Sequence, residues 1–141
     1  MTAPPFQSGM RKQYFFRQSS RGLLAWDVDR LVDLTRDLPV RSVPLTEIRE
    51  LEEHFFGEDE APTWRSFATH VRLVFEAELA YPIIRASDGA VMDGMHRVTK
   101  ALVLGRDAID AVQFATDPAP DHVGCRPDDL PYDESPDERR R

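Results

Sequence analysis

Cysteine is nearly missing from this chain: Cys125 stands alone among 141 residues. An internal disulfide framework and a cysteine-based structural zinc site are both excluded. No apolar run approaches the ~20 residues that a membrane-spanning helix needs. The opening stretch MTAPPFQSGMRKQ also lacks the apolar core of a secretory signal, so a cytoplasmic protein is expected. Histidine occurs four times, at 54, 70, 96 and 122, with no His-x-x-x-His or similar spacing, which gives a protein-only zinc site little support. The Gly-x-x-x-x-Gly-Lys-Ser/Thr loop of Walker-type nucleotide binders is absent too. Lysine is scarce: Lys12 and Lys100 stand against 16 arginines.

What is present suits one globular domain with tails. Hydrophobic residues make up 41% and charged residues 30%, and a chain of this length buries roughly two-thirds of its unfolded surface without staples. The net charge of −7 disfavours an extended contact with a phosphate backbone, so sequence-specific DNA binding is not expected. That charge is unevenly placed. From Asp117 to Glu138 there are eight carboxylates and one arginine, so a short stretch holds the whole excess and leaves a nearly neutral body.

The pattern divides the chain into a lead-in (1–21), a mixed α/β domain (22–115) and an acidic, proline-rich tail (116–141) expected to be extended and flexible. Asp27 reads as the N-cap of a helix through Val28, Leu31, Val32, Thr35 and Leu38, ended by Pro39. Val40 to Leu45 reads as a short strand with Pro44 marking an edge, and Glu47 to Phe55 as a short helix capped by Thr46. Thr63 caps an amphipathic helix whose stripe of Trp64, Phe67, Ala68, Val71, Val74, Phe75 and Glu78 is expected to face the core. A hairpin turning at Ser87-Asp88-Gly89, a helix over 94–104 closed by Gly105, and a strand over 109–114 complete the domain. The expected class is therefore α+β with a mixed sheet.

The chemistry concentrates between Tyr81 and Gly105. A strand ends at Asp93, turns at Gly94 and enters a helix whose first residues are Met95, His96 and Arg97. Free backbone N–H groups at a helix start, helped by the macrodipole, form an anion site, and glycine lets a ligand approach the backbone closely. Arg97 adds a forked donor and His96 another, so a phosphate is the natural guest. Lys100, one turn further on, reads as part of a solvated face or as a further contact to the same guest.

The run Ile83-Ile84…Asp88-Gly89…Val91-Met92-Asp93-Gly94-Met95-His96-Arg97…Ala101…Leu104-Gly105 resembles the ParB/sulfiredoxin superfamily. The resemblance covers about half the chain, and its Asp-Gly-x-His-Arg motif is nearest to the free serine kinases and to short ParB-like proteins. It implies a single nucleotide-binding domain whose phosphate site comprises Gly94, Met95, His96 and Arg97. Sulfiredoxin chemistry is excluded, because Met95 replaces the cysteine on which it depends and a thioether cannot form the sulfur–phosphoryl bond. No helix-turn-helix DNA reader follows Phe114, as it would in the partition proteins.

The kinase likeness implies a catalytic glutamate on an early helix, with Glu52 the counterpart and Glu47 or Glu53 the alternatives. Asp93 has three readings: a Mg²⁺ ligand, a base toward an attacking hydroxyl, or an N-cap. His70 reads as a boundary histidine or as one facing the pocket, Trp64 and Phe67 as core, and Cys125 as inert. Two functions follow. One is a phosphotransferase or nucleotide hydrolase using ATP, ADP or CTP with Mg²⁺ and a small hydroxyl substrate. The other is a non-catalytic nucleotide-responsive or protein-interaction module. A ParB-like nuclease is the least favoured on charge.

Overall fold

Three strand segments carry apolar residues in adjacent pairs: Ile83-Ile84, Val91-Met92 and Ala111-Val112, all buried. Successive side chains on a strand point to opposite faces, so such pairs require a sheet covered on both sides. The computed structural model, which describes residues 12–54 and 63–132, has that arrangement. Its elements are β1 (Tyr14–Ser19), β2 (Gly22–Asp27), α1 (Val28–Leu34), β3 (Arg41–Pro44), α2 (Trp64–Glu76), β4 (Ile83–Arg85), β5 (Val91–Asp93), α3 (Met95–Val103), β6 (Ala108–Gln113) and β7 (His122–Val123). It is a mixed α+β fold with two sheets.

The larger sheet has the order β3-β6-β4-β5, with β4 and β6 parallel and the other pairs antiparallel. On one face Ile83, Val91, Ile109 and Ala111 pack with Val98 and Ala101 of α3. On the other, Ile84, Met92, Val112 and Phe114 pack with Trp26 of β2 and Leu31 of α1. The β4–β5 turn falls at Ser87-Asp88-Gly89 as the sequence implies. Gly89 has φ 91°, and a Cβ there would lie 2.8 Å from the Arg85 guanidinium that donates to the Gly89 carbonyl.

Several expected elements take a different form. α1 stops at Leu34, a turn short, because the Thr35 hydroxyl donates to the Leu31 and Val32 carbonyls and closes the end. The helix expected from Glu47 is two short 3₁₀ turns, Leu45–Glu47 and Arg49–Glu52, and its far end at Phe55 lies outside the described residues. Ile48 between the turns is extended and 2% exposed, so anchoring it in the core interrupts the helix. Pro44 ends an edge strand, where its missing N–H costs nothing.

The larger correction concerns the ends. Within the expected lead-in, Tyr14–Ser19 is a strand fully paired with β2 in a second, three-stranded sheet of order β1-β2-β7. Residues 116–132 of the expected flexible tail lie on the domain. β7 pairs with β2 through Leu24 and Val123. The Trp26 indole donates to the Pro118 carbonyl at 2.8 Å, and Leu130 is buried. Two tail carboxylates satisfy backbone donors: Asp117 accepts from Ser87 N–H and Asp121 from Asp27 N–H, both at 2.7 Å. Asp121 also accepts from Arg30 at 3.2 Å. Residues 133–141 lie outside the described residues.

Two predictions follow. Asp121→Ala removes both acceptors and should lower stability by roughly 1–2 kcal/mol in urea unfolding. Asp88 accepts from Ala90 N–H and faces Arg17 and Arg49, and these hold its carboxyl below the ordinary value of 3.8. Its contribution is therefore present above that value and is lost as pH falls through the lower folded-state midpoint. A carboxyl titration followed by NMR should place the Asp88 midpoint below that of an unstructured aspartate.

Candidate functional site

The turn into α3 is built on Gly94. Its φ of 118° lies in the left-handed region, and a Cβ there would meet Ile83 Cγ2 at 2.6 Å and Arg97 Nη2 at 2.9 Å. Only glycine lets the chain leave β5 and begin α3 in one residue against that wall. α1 and α2 are capped by side chains, Asp27 accepting from Asp29 N–H and Thr63 from Ser66 N–H. Gly94 is the N-cap of α3 and offers no side-chain acceptor, so Met95, His96 and Arg97 start the helix without that partner.

The predicted site residues separate into three groups. Gly94, Met95, His96, Arg97 and Asp93 come together at the α3 start. Asp93 is not the cap: its Oδ2 accepts from Arg97 Nη2 at 3.1 Å, and both side chains are mostly buried. Arg97 Nη2 also donates to the Pro82 carbonyl at 3.4 Å, while its buried Nε has no hydrogen-bond partner among the described residues. Met95 packs against the core, as Leu51 and Leu79 do. His70 joins this group, its Nδ1 being 3.0 Å from His96 Nε2.

Lys100 belongs elsewhere. Its ammonium donates to the Phe75 carbonyl at 3.0 Å and the Ala77 carbonyl at 2.7 Å, closing the C-terminal end of α2 as a cation suits a helix C-terminus. The expectation that it reaches a phosphate gives way to this capping role. With Phe75, Ala77, Leu79 and Leu104 it lines a cavity of about 480 Å³ at the far end of α3 from Gly94.

Glu47, Glu52 and Glu53 are exposed on or beside the 3₁₀ turns. The carboxylate carried inward is Glu50. Its Oε2 accepts from Val91 N–H on the β5 edge at 2.8 Å, and its Oε1 is buried without a hydrogen-bond partner among the described residues. The charged run conceals Glu50, since only the Ile48 anchor decides which glutamate turns inward.

α2 also turns a different face from the expected one. His70 and Ser66 are partly buried, whereas Trp64 is 86% and Phe75 83% exposed, so the aromatic stripe is not core. Cys125 is partly buried, with its thiol 3.5 Å from the Leu23 carbonyl.

No family model, curated protein or solved structure matches the chain. Among the described residues, no helix is long and apolar enough to cross a membrane.

Gly94→Ala forces a strained φ and a clash with Ile83. It should cost more than about 2 kcal/mol in thermal or urea unfolding.

Proposed function

We propose that this protein is a small nucleotide-binding domain of the ParB/sulfiredoxin kind, holding a phosphate at the start of α3. The observation that carries the reading is the glycine-capped start of α3 next to a buried Arg97 Nε with no acceptor among the described residues. An anion oxygen supplies what both lack, since a buried donor left unpaired is costly and an uncapped helix start favours negative charge. His96 stands in the same turn as a further donor. ATP, ADP and CTP, with the Mg²⁺ they bring, are the ligands this chemistry fits.

Turnover is the finer form of the proposal: phosphotransfer to a small hydroxyl acceptor, or nucleotide hydrolysis. Asp93, paired with Arg97 in the turn, is the carboxylate that would accept the proton of the attacking hydroxyl or water, and it would help hold a Mg²⁺ that came in with the nucleotide. Glu52 is solvent-exposed and Glu50 is engaged with Val91 N–H, so Asp93, in the turn itself, is the carboxylate beside the site. The exposed aromatic stripe of α2 favours a second reading, a nucleotide-responsive module that engages a protein partner.

The test is calorimetric titration with ATP, ADP and CTP, with and without Mg²⁺. Saturable binding by the native chain is expected. Arg97→Ala, made together with Asp93→Asn so that no carboxylate is orphaned, should weaken it at least about tenfold, the worth of one charge-assisted hydrogen bond. Absence of heat with every nucleotide at millimolar concentration would sink the reading. Release of ADP or inorganic phosphate from bound nucleotide distinguishes an enzyme from a switch.

A further inference from the structure

α2 turns its apolar stripe outward. Trp64 and Phe75 are almost wholly exposed and Phe67 and Val71 about half so, while Ser66, His70, Leu73, Val74 and Ala77 form the partly buried face. Together the four exposed side chains offer on the order of 500 Å² of apolar surface, a size that marks an interaction site. We propose that this face pairs with the same face of a second copy of the chain in an antiparallel two-fold dimer. Each Trp64 then fills the cavity beside Phe75 of the other copy.

The stripe is self-complementary. Trp64 and Phe75 stand near opposite ends of α2, about 16 Å apart at about 1.5 Å per residue. Ala68 and Val71 lie symmetrically between them, so both pairs share a midpoint between Thr69 and His70. A two-fold axis through that point sets Trp64 level with Phe75 of the second copy, and Ala68 level with Val71. Bulky residues then fall at the ends and small ones at the crossing, where two helices must come close. Each contact occurs twice, as an isologous interface requires.

The cavity supplies the other half of the fit. Its volume is about 480 Å³, and Phe75 lines it at the end of the stripe. That volume lies in the roughly 300–1,000 Å³ range that takes ring-sized guests. Leu79 and Leu104 give it apolar walls, Arg106 a guanidinium suited to an indole face, and Glu78 a carboxylate suited to an indole N–H. The chain's own Trp64, about 16 Å away along the helix, is beyond the reach of its side chain. An indole for this cavity therefore comes from another molecule.

Charge sets the direction of pairing. Arg65 and Glu76 are exposed on one flank of α2, near opposite ends. Antiparallel pairing brings Arg65 beside Glu76 of the second copy, twice. Parallel pairing instead sets like charges together and takes Trp64 away from the cavity. With this polar rim the contact approaches the roughly 800 Å² a side of a stable pair.

The pairing involves no nucleotide and its test uses none, so its failure leaves the phosphate reading standing. Untagged full-length protein is followed by sedimentation equilibrium and tryptophan emission from micromolar to millimolar concentration. The mass should rise from 16.1 kDa to twice that value. Trp26 is buried, so the red-edge emission belongs to Trp64 and should shift to the blue as the pair forms. Trp64→Ala should weaken association at least about thirtyfold, as loss of a buried aromatic anchor does. Leu104→Glu should act likewise from the other side of the contact. Arg65→Glu and Glu76→Arg should each weaken it several-fold and their combination restore it, since the two residues stand too far apart to meet within one chain. All four positions are exposed, so these variants should fold. A native chain that stays monomeric at millimolar concentration, or a dimer unmoved by both Trp64→Ala and Leu104→Glu, overturns the proposal. So does a monomer whose Trp64 emission shifts only on phosphatidylglycerol vesicles, which would give the face to a membrane surface.

Discussion

Between the last residue of β5 and the first of α3 the chain has one residue in which to turn, and the Ile83 methyl stands where its Cβ would be. Gly94 meets that demand by adopting a positive φ, and the geometry downstream follows from it. α3 leaves at the angle that sets Val98 and Ala101 against Ile83 and Val91. Arg97, one turn in, folds back on Asp93, and His96 faces α2. Core packing and site chemistry therefore share a single backbone constraint.

Arg97 has two demands on it. Its hydrogen bonds to Asp93 and Pro82 hold the strand end to the helix start, while its unpartnered Nε marks an unfinished hydrogen-bond set. A residue both structural and incomplete is where a ligand changes local energetics most, because binding completes the set and redistributes the ion pair. α2 contrasts with this part of the molecule: it is held at its C-terminal end and middle by polar contacts and presents Trp64 and Phe75 to solvent. The rigid half of the site is on β5 and α3, and the adjustable half is on α2.

Legibility in the sequence followed the range of the interactions. The Asp88-Gly89 turn, the Gly94 break and the Asp27 and Thr63 caps are each set within a few residues, and the sequence displays them. In the three-stranded sheet the β1–β2 hairpin is local and goes unread within the expected lead-in, whereas two-residue β7 pairs with β2 about a hundred residues away and has no pattern of its own. The acidic, proline-rich composition suggests an extended tail because nothing local says that Asp117 and Asp121 meet backbone donors at Ser87 and Asp27. The α2 stripe misled for a related reason. Hydrophobic periodicity shows that a helix has an apolar face but not which neighbour covers it, and here His70 and Lys100 contacts orient the helix instead. Glu50 was hidden in a charged run until Ile48 fixed the phase of its turn.

The seam between the two ends has its own consequence. Lys12 N–H donates to the Tyr132 carbonyl at 3.4 Å, Tyr14 donates to the Pro131 carbonyl at 2.6 Å, and the Tyr14 and Tyr132 rings meet edge to face at 5.4 Å. Topologically, the chain from 12 to 132 is a ring cut once. A linker of a few residues would close that cut, and the order of elements could then be rotated with every strand and helix left in place. The connection between α1 and β3 would serve as the new opening.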